Sequence, residues 1–129
     1  MNTIKRINII LYVSDQKKSR DFYAHVLNCE PVLDVPGMTE FELPGSCVLG
    51  LMPEGGIRRL LGDKLPDPRS ARGVPRAELY LLVEEPQEFH ARALALGARE
   101  ISPLLKRDWG DEAAYSLDPD GHVLAFARS

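Results

Sequence analysis

Glu78 is the residue with the most chemistry to offer. It opens the run ELYLLV at 78–83, with Tyr80 two positions on. A carboxylate on an otherwise apolar strand face loses hydration and holds a proton more tightly, which suits a general base near neutral pH. Asn8 and Tyr12, in INIILYV at 7–13, and Tyr80 are the groups that could hydrogen-bond an oxyanion formed by such a base. The plainer alternative is a structural carboxylate paired with Arg76 or another nearby arginine. Trp109, in KRDWGDEAAY, is the only tryptophan and has a glycine beside it. It could stack on a planar ligand or simply pack within its loop. Tyr115, on the next strand-like run, can share that wall.

Other chemistry is thin. His25 and His90 fall in helical stretches, where they are expected at solvent or a helix edge, and His122 follows a turn. None has a histidine or cysteine partner at ligand spacing, so all three read as structural. Cys29 and Cys47 form no CxxC pair and are expected as free thiols in a reducing cytoplasm. No GxSxG, P-loop or dinucleotide fingerprint occurs, and Glu54-Gly55-Gly56 is too short to cradle a phosphate. A net charge of −3 provides no basic field for nucleic acid or an anionic membrane surface. Nothing approaches the ~20 consecutive apolar residues of a membrane span. The opening MNTIKRINIILYV passes straight into alternation, so no signal peptide is expected.

The elements that must position these residues occur twice, in one domain of 129 residues with enough chain for its own core. INIILYV reads as a strand, and SDQKKSRDFYAHVLN as a helix capped by Ser14 or Asp15, with a stripe of Phe22, Val26 and Leu27. Three strand-like runs follow: CEPVLDV, MTEFELP and CVLGLMP. The order then returns. ELYLLV is a strand, and EPQEFHARALALG a helix with proline near its start, a stripe of Phe89, Ala93 and Leu96, and Gly97 at its end. AREISPLL, EAAYSL and HVLAFA complete the second set.

Each half is therefore βαβββ, over residues 4–53 and 76–128. Two such modules give an α+β fold of curved mixed sheets around a central cleft, a natural small-molecule site. Residues 54–75 between them are basic, with Arg58, Arg59, Lys64, Arg69 and Arg72 followed by Arg76. IRRLL there suggests a single helical turn. The segment is either a solvated connector or a lid that carries an arginine to an anionic ligand.

Period-two alternation sorts the strand faces. Ile9, Leu11 and Val13 should lie under the first helix, leaving Asn8, Ile10 and Tyr12 on the cleft face. Glu78, Tyr80 and Leu82 take the same place in the second module. Val48, Gly50 and Met52, and Val123, Ala125 and Ala127, complete the two cleft faces. Glu40 and Glu42 alternate with Phe41 and Leu43 and read as a solvated strand face. Gly50 and Ala125 make the floor small and apolar, which leaves room for a ligand. The turn Asp118-Pro119-Asp120-Gly121 starts the last strand.

The paired βαβββ pattern, LYVSDQKKSRDFYAHVLN after the first strand, and LDPDGHVLAFA at the end resemble the vicinal oxygen chelate superfamily. That superfamily includes glyoxalase I, extradiol dioxygenases, fosfomycin-resistance enzymes and bleomycin-resistance proteins. The resemblance spans nearly the whole chain and implies the fold more specifically than the activity. It implies that Trp109 and Gly110 line the ligand cleft. In metal-dependent members, a divalent ion is held by histidine and carboxylate side chains on the first and fourth strands of each half. The positions carried over are Asn8 and Gly50, and Glu78 and Ala125. Only Glu78 is a credible ligand, so no metal or other cofactor is expected.

Three functions follow. The first is a metal-free protein that binds a small organic molecule, as the bleomycin-resistance members do by sequestration. The residues concerned are Asn8, Tyr12, Gly50, Met52, Tyr80, Trp109, Tyr115 and Ala125. The second is a metal-dependent lyase, isomerase or dioxygenase, which needs a divalent metal ion and further ligands. The third is a metal-free enzyme with Glu78 as its catalytic base. The resemblance also implies a homodimer.

Overall fold

The computed structural model describes residues 2–129. The chain divides into two compact units, one running through Ala71 and the other spanning Arg72–Ser129. Two four-stranded mixed sheets and three α-helices make the fold α+β.

The first unit contains β1 (Ile7–Val13), α1 (Gln16–Leu27), β2 (Leu33–Val35), β3 (Met38–Leu43) and β4 (Cys47–Pro53), in sheet order β1-β4-β3-β2. β1 and β4 are parallel, because the chain crosses over through α1 and returns, and the remaining pairs are antiparallel. Asp15 caps α1 by accepting the Lys18 amide hydrogen at 3.0 Å. Asn28 ends it in the left-handed conformation at φ 53°. Ser19, Phe22, Tyr23 and Val26 form the buried stripe, and Leu27 is only half-buried. They meet Phe41, Leu49 and Leu51, none more than 1% exposed, each worth ~1.5–3 kcal/mol of burial.

Gln16 fixes the helix to the β2–β3 turn. Its amide nitrogen donates to the Val35 carbonyl at 2.8 Å and the Thr39 hydroxyl at 2.9 Å, while its oxygen accepts from the Gly37 amide at 3.0 Å. The segment after β4 is more ordered than one helical turn. It forms α2 (Glu54–Leu61) and then short 3₁₀ turns at Gly62–Lys64 and Pro68–Ala71. Ile57 is the buried anchor of α2.

The second unit contains β5 (Glu78–Leu82), α3 (Pro86–Ala95), β6 (Arg99–Lys106), β7 (Glu112–Leu117) and β8 (Val123–Arg128), in sheet order β5-β8-β7-β6. β5 and β8 are parallel, the counterpart of β1 and β4. Pro103 is tolerated in β6 because that strand ends the sheet, and the register shifts around it. The buried face of α3 is Pro86, His90 and Ala93; of the expected stripe, Ala93 is buried and Phe89 is half-buried with its ring 5.7 Å from that of Phe126. Leu96 lies past the helix end and is 40% exposed. The apolar ring of Pro86 starts the stripe and sets its phase.

His90 is therefore not at a solvent edge. It is buried, and its Nε2 lies 2.8 Å from Glu100 Oε2. Its Nδ1 and the Ser116 hydroxyl are buried without a partner among the described residues. The turn before β8 is closed by Asp118, whose Oδ1 accepts the Asp120 and His122 amide hydrogens, both at 2.9 Å. Gly121 sits at φ 89°, and a Cβ there would stand 2.7 Å from the Gly73 carbonyl oxygen. No other residue type fits both demands.

Candidate functional site

Each module carries one sheet face turned away from its helix, and the registers fix what stands on it. In the first module, Ile10 pairs with Gly50 and Tyr12 with Met52 between β1 and β4, and Glu40 pairs with Gly50 between β4 and β3. Asn8 lies on this face, where its Oδ1 accepts from Arg6 Nε at 3.0 Å and its Nδ2 donates to Glu40 Oε2 at 3.3 Å. Glu40 is thus part of the polar set and not of a separate solvated face. The alternation TEFE, combined with pairing of β3 to β4, was the signal that could have placed it beside Gly50.

Gly50 does not leave open room. A Cβ built there meets Ile10 Cγ1 at 3.1 Å and Met38 Sδ at 3.3 Å, so neighbouring side chains fill the space. Tyr12 and Met52, both half-buried, stand at the end of the pair that leads into α2.

The second module offers more. Across the central strand, Ala125 pairs with Tyr80 of β5 on one side and Tyr115 of β7 on the other. Ala125 is fully buried between the two phenols' strands. Tyr80 donates its hydroxyl hydrogen to Asp111 Oδ2 at 2.7 Å and accepts the Trp109 indole hydrogen at 2.9 Å. Its one donor is directed to Asp111 and not toward open space on the face. The Trp109 ring stands 6.4 Å from the Tyr80 ring and is 60% exposed.

Arg107 lies over the Tyr115 ring at 5.0 Å. Its guanidinium is held by the Ala113 carbonyl at 2.7 Å and the Ser102 hydroxyl at 2.6 Å. Among the described residues, the Tyr115 hydroxyl has no hydrogen-bond partner. Burial pushes the Tyr115 phenol up, and the nearby Glu78 charge pushes it further. Burial also raises Tyr80, opposed by the Trp109 hydrogen bond and assisted by Asp111.

Glu78 is exposed, so it keeps the hydration that its strand context was expected to remove. It forms no ion pair with Arg76 or with any other described residue. The arginines before it are partly committed to their own segment. Arg58 bonds Asp63 at 2.9 Å and the Leu65 carbonyl at 3.2 Å, and Arg69 pairs with Asp67 at 2.8 Å. A groove of about 560 Å³ also runs beside α1, lined by Arg20, Asp21, His25, Cys29 and Asp34 among others. Its arginine is already engaged, since Arg20 holds both Asp21 and Asp34 at 2.8 Å.

A divalent ion does not fit the four carried-over positions. The Asn8 amide is occupied by Arg6 and Glu40, and Gly50 and Ala125 carry no donor atom. Among the described residues, no three His, Cys, Asp or Glu side chains form a group able to hold an ion. Cys29 and Cys47 are free. No helix among the described residues is long and apolar enough to cross a membrane.

The likeness to known proteins extends over most of the chain. An uncharacterised protein of Mycobacterium bovis is 26% identical over 126 residues, 92% of this chain and 79% of its own. One from Mycobacterium tuberculosis matches at the same identity over 71% of its own length. Among solved structures, a glyoxalase-related enzyme from Fulvimarina pelagi superposes with a TM-score of 0.82 at 22% identity, covering 97% of this chain and 88% of that one. A glyoxalase/bleomycin resistance protein/dioxygenase from Nocardioides gives 0.75 at 21% identity, over 99% and 85% of the two chains. These structures share the fold. The family model matches residues 3–126, and the chain belongs to the Glyoxalase/Bleomycin resistance protein/Dioxygenase superfamily.

Proposed function

We propose that the protein binds a small organic molecule, without a metal ion, on the aromatic face of its second module. The observation that carries this reading is the exposed Trp109 ring, anchored through its indole nitrogen to Tyr80 while its flat surface stays available. Tyr115 and the small Ala125 lie on the same face. An aromatic surface held in place gains contact area at little entropic cost. The test is a screen of small organic molecules by thermal shift and Trp109 emission. Saturable binding that weakens about tenfold in Tyr115→Ala supports the reading. A folded protein with no saturable binding overturns it.

A second reading has its own support. Glu78 is exposed and unpaired among the described residues, and it acts electrostatically on Tyr115, whose hydroxyl is unpartnered. A base and a phenol on one face can move a proton from an acidic carbon. Loss of turnover in Glu78→Gln supports this reading, and an unchanged rate removes it.

The same proposal includes a homodimer in a reducing cytoplasm. It is supported by the exposed Ile7 and Ile10 on β1, which ends its sheet, and by the two free thiols. A monomeric mass by light scattering overturns the dimer.

A further inference from the structure

The aromatic face of the second module carries charge of both signs. Arg107 is fixed by the Ala113 and Pro103 carbonyls and the Ser102 hydroxyl, which engage its Nε and Nη2. Its Nη1 makes no bond among the described residues, so a guanidinium 5.0 Å over the Tyr115 ring keeps two hydrogens to offer. The Tyr115 hydroxyl, also unbonded there, is a further donor. Glu78, on β5, is an exposed carboxylate with no ion pair or hydrogen bond among the described residues. Burial is the largest influence on the Tyr115 phenol; next come Glu78, which raises it, and Arg107, which lowers it. Tyr115 therefore lies within reach of both charges. Asp111 acts on it less and already accepts the Tyr80 hydroxyl hydrogen. A ligand with one charge gains at one of these groups and is repelled by the other. A ligand with both gains at each.

We propose that the molecule received on this face is a zwitterion with an aromatic or apolar body, of the amino-acid kind. Its carboxylate accepts from Arg107 Nη1 and the Tyr115 hydroxyl, its ammonium faces Glu78, and its body lies on Trp109. A guanidinium already held in place makes charge-assisted bonds at little ordering cost. Removing either charge of the ligand leaves a charged group of the protein without its partner, which makes the pairing selective. This inference rests on the small-molecule reading above and narrows its ligand class.

The test titrates the intact protein with L-phenylalanine, with hydrocinnamate, which lacks the ammonium, and with phenethylamine, which lacks the carboxylate. Trp109 emission and thermal shift are read. The expected result is saturable binding of L-phenylalanine, at least about fivefold tighter than either analogue. Glu78→Gln, an exposed change, should weaken L-phenylalanine about fivefold without weakening hydrocinnamate. Tyr115→Phe, which keeps the ring, should weaken L-phenylalanine and hydrocinnamate and spare phenethylamine. A smaller preference over either analogue, or an unchanged affinity in Glu78→Gln, overturns the zwitterion and leaves the small-molecule reading standing. Failure of all three probes overturns the zwitterion too, and the broader screen then decides the small-molecule reading separately.

Discussion

The Trp109 indole donates to the Tyr80 hydroxyl at 2.9 Å, and that hydroxyl donates onward to Asp111 at 2.7 Å. Tyr80→Phe breaks both bonds at once. Trp109 is largely exposed, so water can take its hydrogen and the loss stays near ~0.5–1.5 kcal/mol. The Trp109 emission should shift to the red as the ring is released, with a drop of a few degrees in Tm. An unchanged spectrum would mean that the bond does not orient the ring.

Alkaline titration should find two late tyrosines. Tyr80 and Tyr115 are both raised, burial being the larger cause for each. A raised phenol contributes stability that is complete below the unfolded value and lost as pH climbs through the folded one. Absorbance of tyrosinate should therefore lag behind free tyrosine. Glu78→Gln should bring Tyr115 down, because it removes one of the charges that hold the phenol neutral.

Acid acts on the other module. The Arg20 guanidinium, followed by the Thr39 hydroxyl, holds Asp34 below the usual carboxylate range. A depressed carboxylate stabilises above its unfolded value, and this contribution vanishes as pH falls through the folded value. Asp34→Asn should flatten the acid limb by lowering stability at its upper end, near pH 6, while changing little at the most acid end, where the contribution is already lost. Chemical denaturation between pH 2 and pH 6 measures both curves, on the range over which carboxylates titrate.

Gly121→Ala should be among the most damaging small changes in the chain. The new methyl group would meet the Gly73 carbonyl at 2.7 Å, in a backbone conformation at φ 89° that alanine resists. Strain of this kind costs about 1–3 kcal/mol, before any displacement of Gly73. Thermal unfolding should show a fall of several degrees or more. A near-neutral result would mean that the segment around Gly73 yields freely.

Much of this was legible in the residues. The duplicated βαβββ order gave both sheets, and alternation placed Glu78, Tyr80 and Ala125 on one face, as the β5–β8 register does. Alternation fails where contacts cross more than one strand. The Asn8–Glu40 bond spans β4, so neither residue's own strand reveals it. His90 escaped for a different reason: a polar residue in a helix reads as solvated until Glu100, on a separate strand, supplies its partner. Trp109 was visible by type and loop context. Its bond to Tyr80 joins a loop to a strand about thirty positions away, which neither segment's own pattern reveals.

In both modules the first strand is hydrogen-bonded only to the last, β1 to β4 and β5 to β8. As the chain leaves the ribosome, Ile7 to Val13 can pair within its sheet only after Cys47 to Pro53 has emerged. Such sequence-distant parallel pairing is entropically late, whereas the hairpin of β2 and β3 closes locally. The isoleucines of β1 therefore spend the interval exposed, and that is when a nascent chain most needs protection from its neighbours.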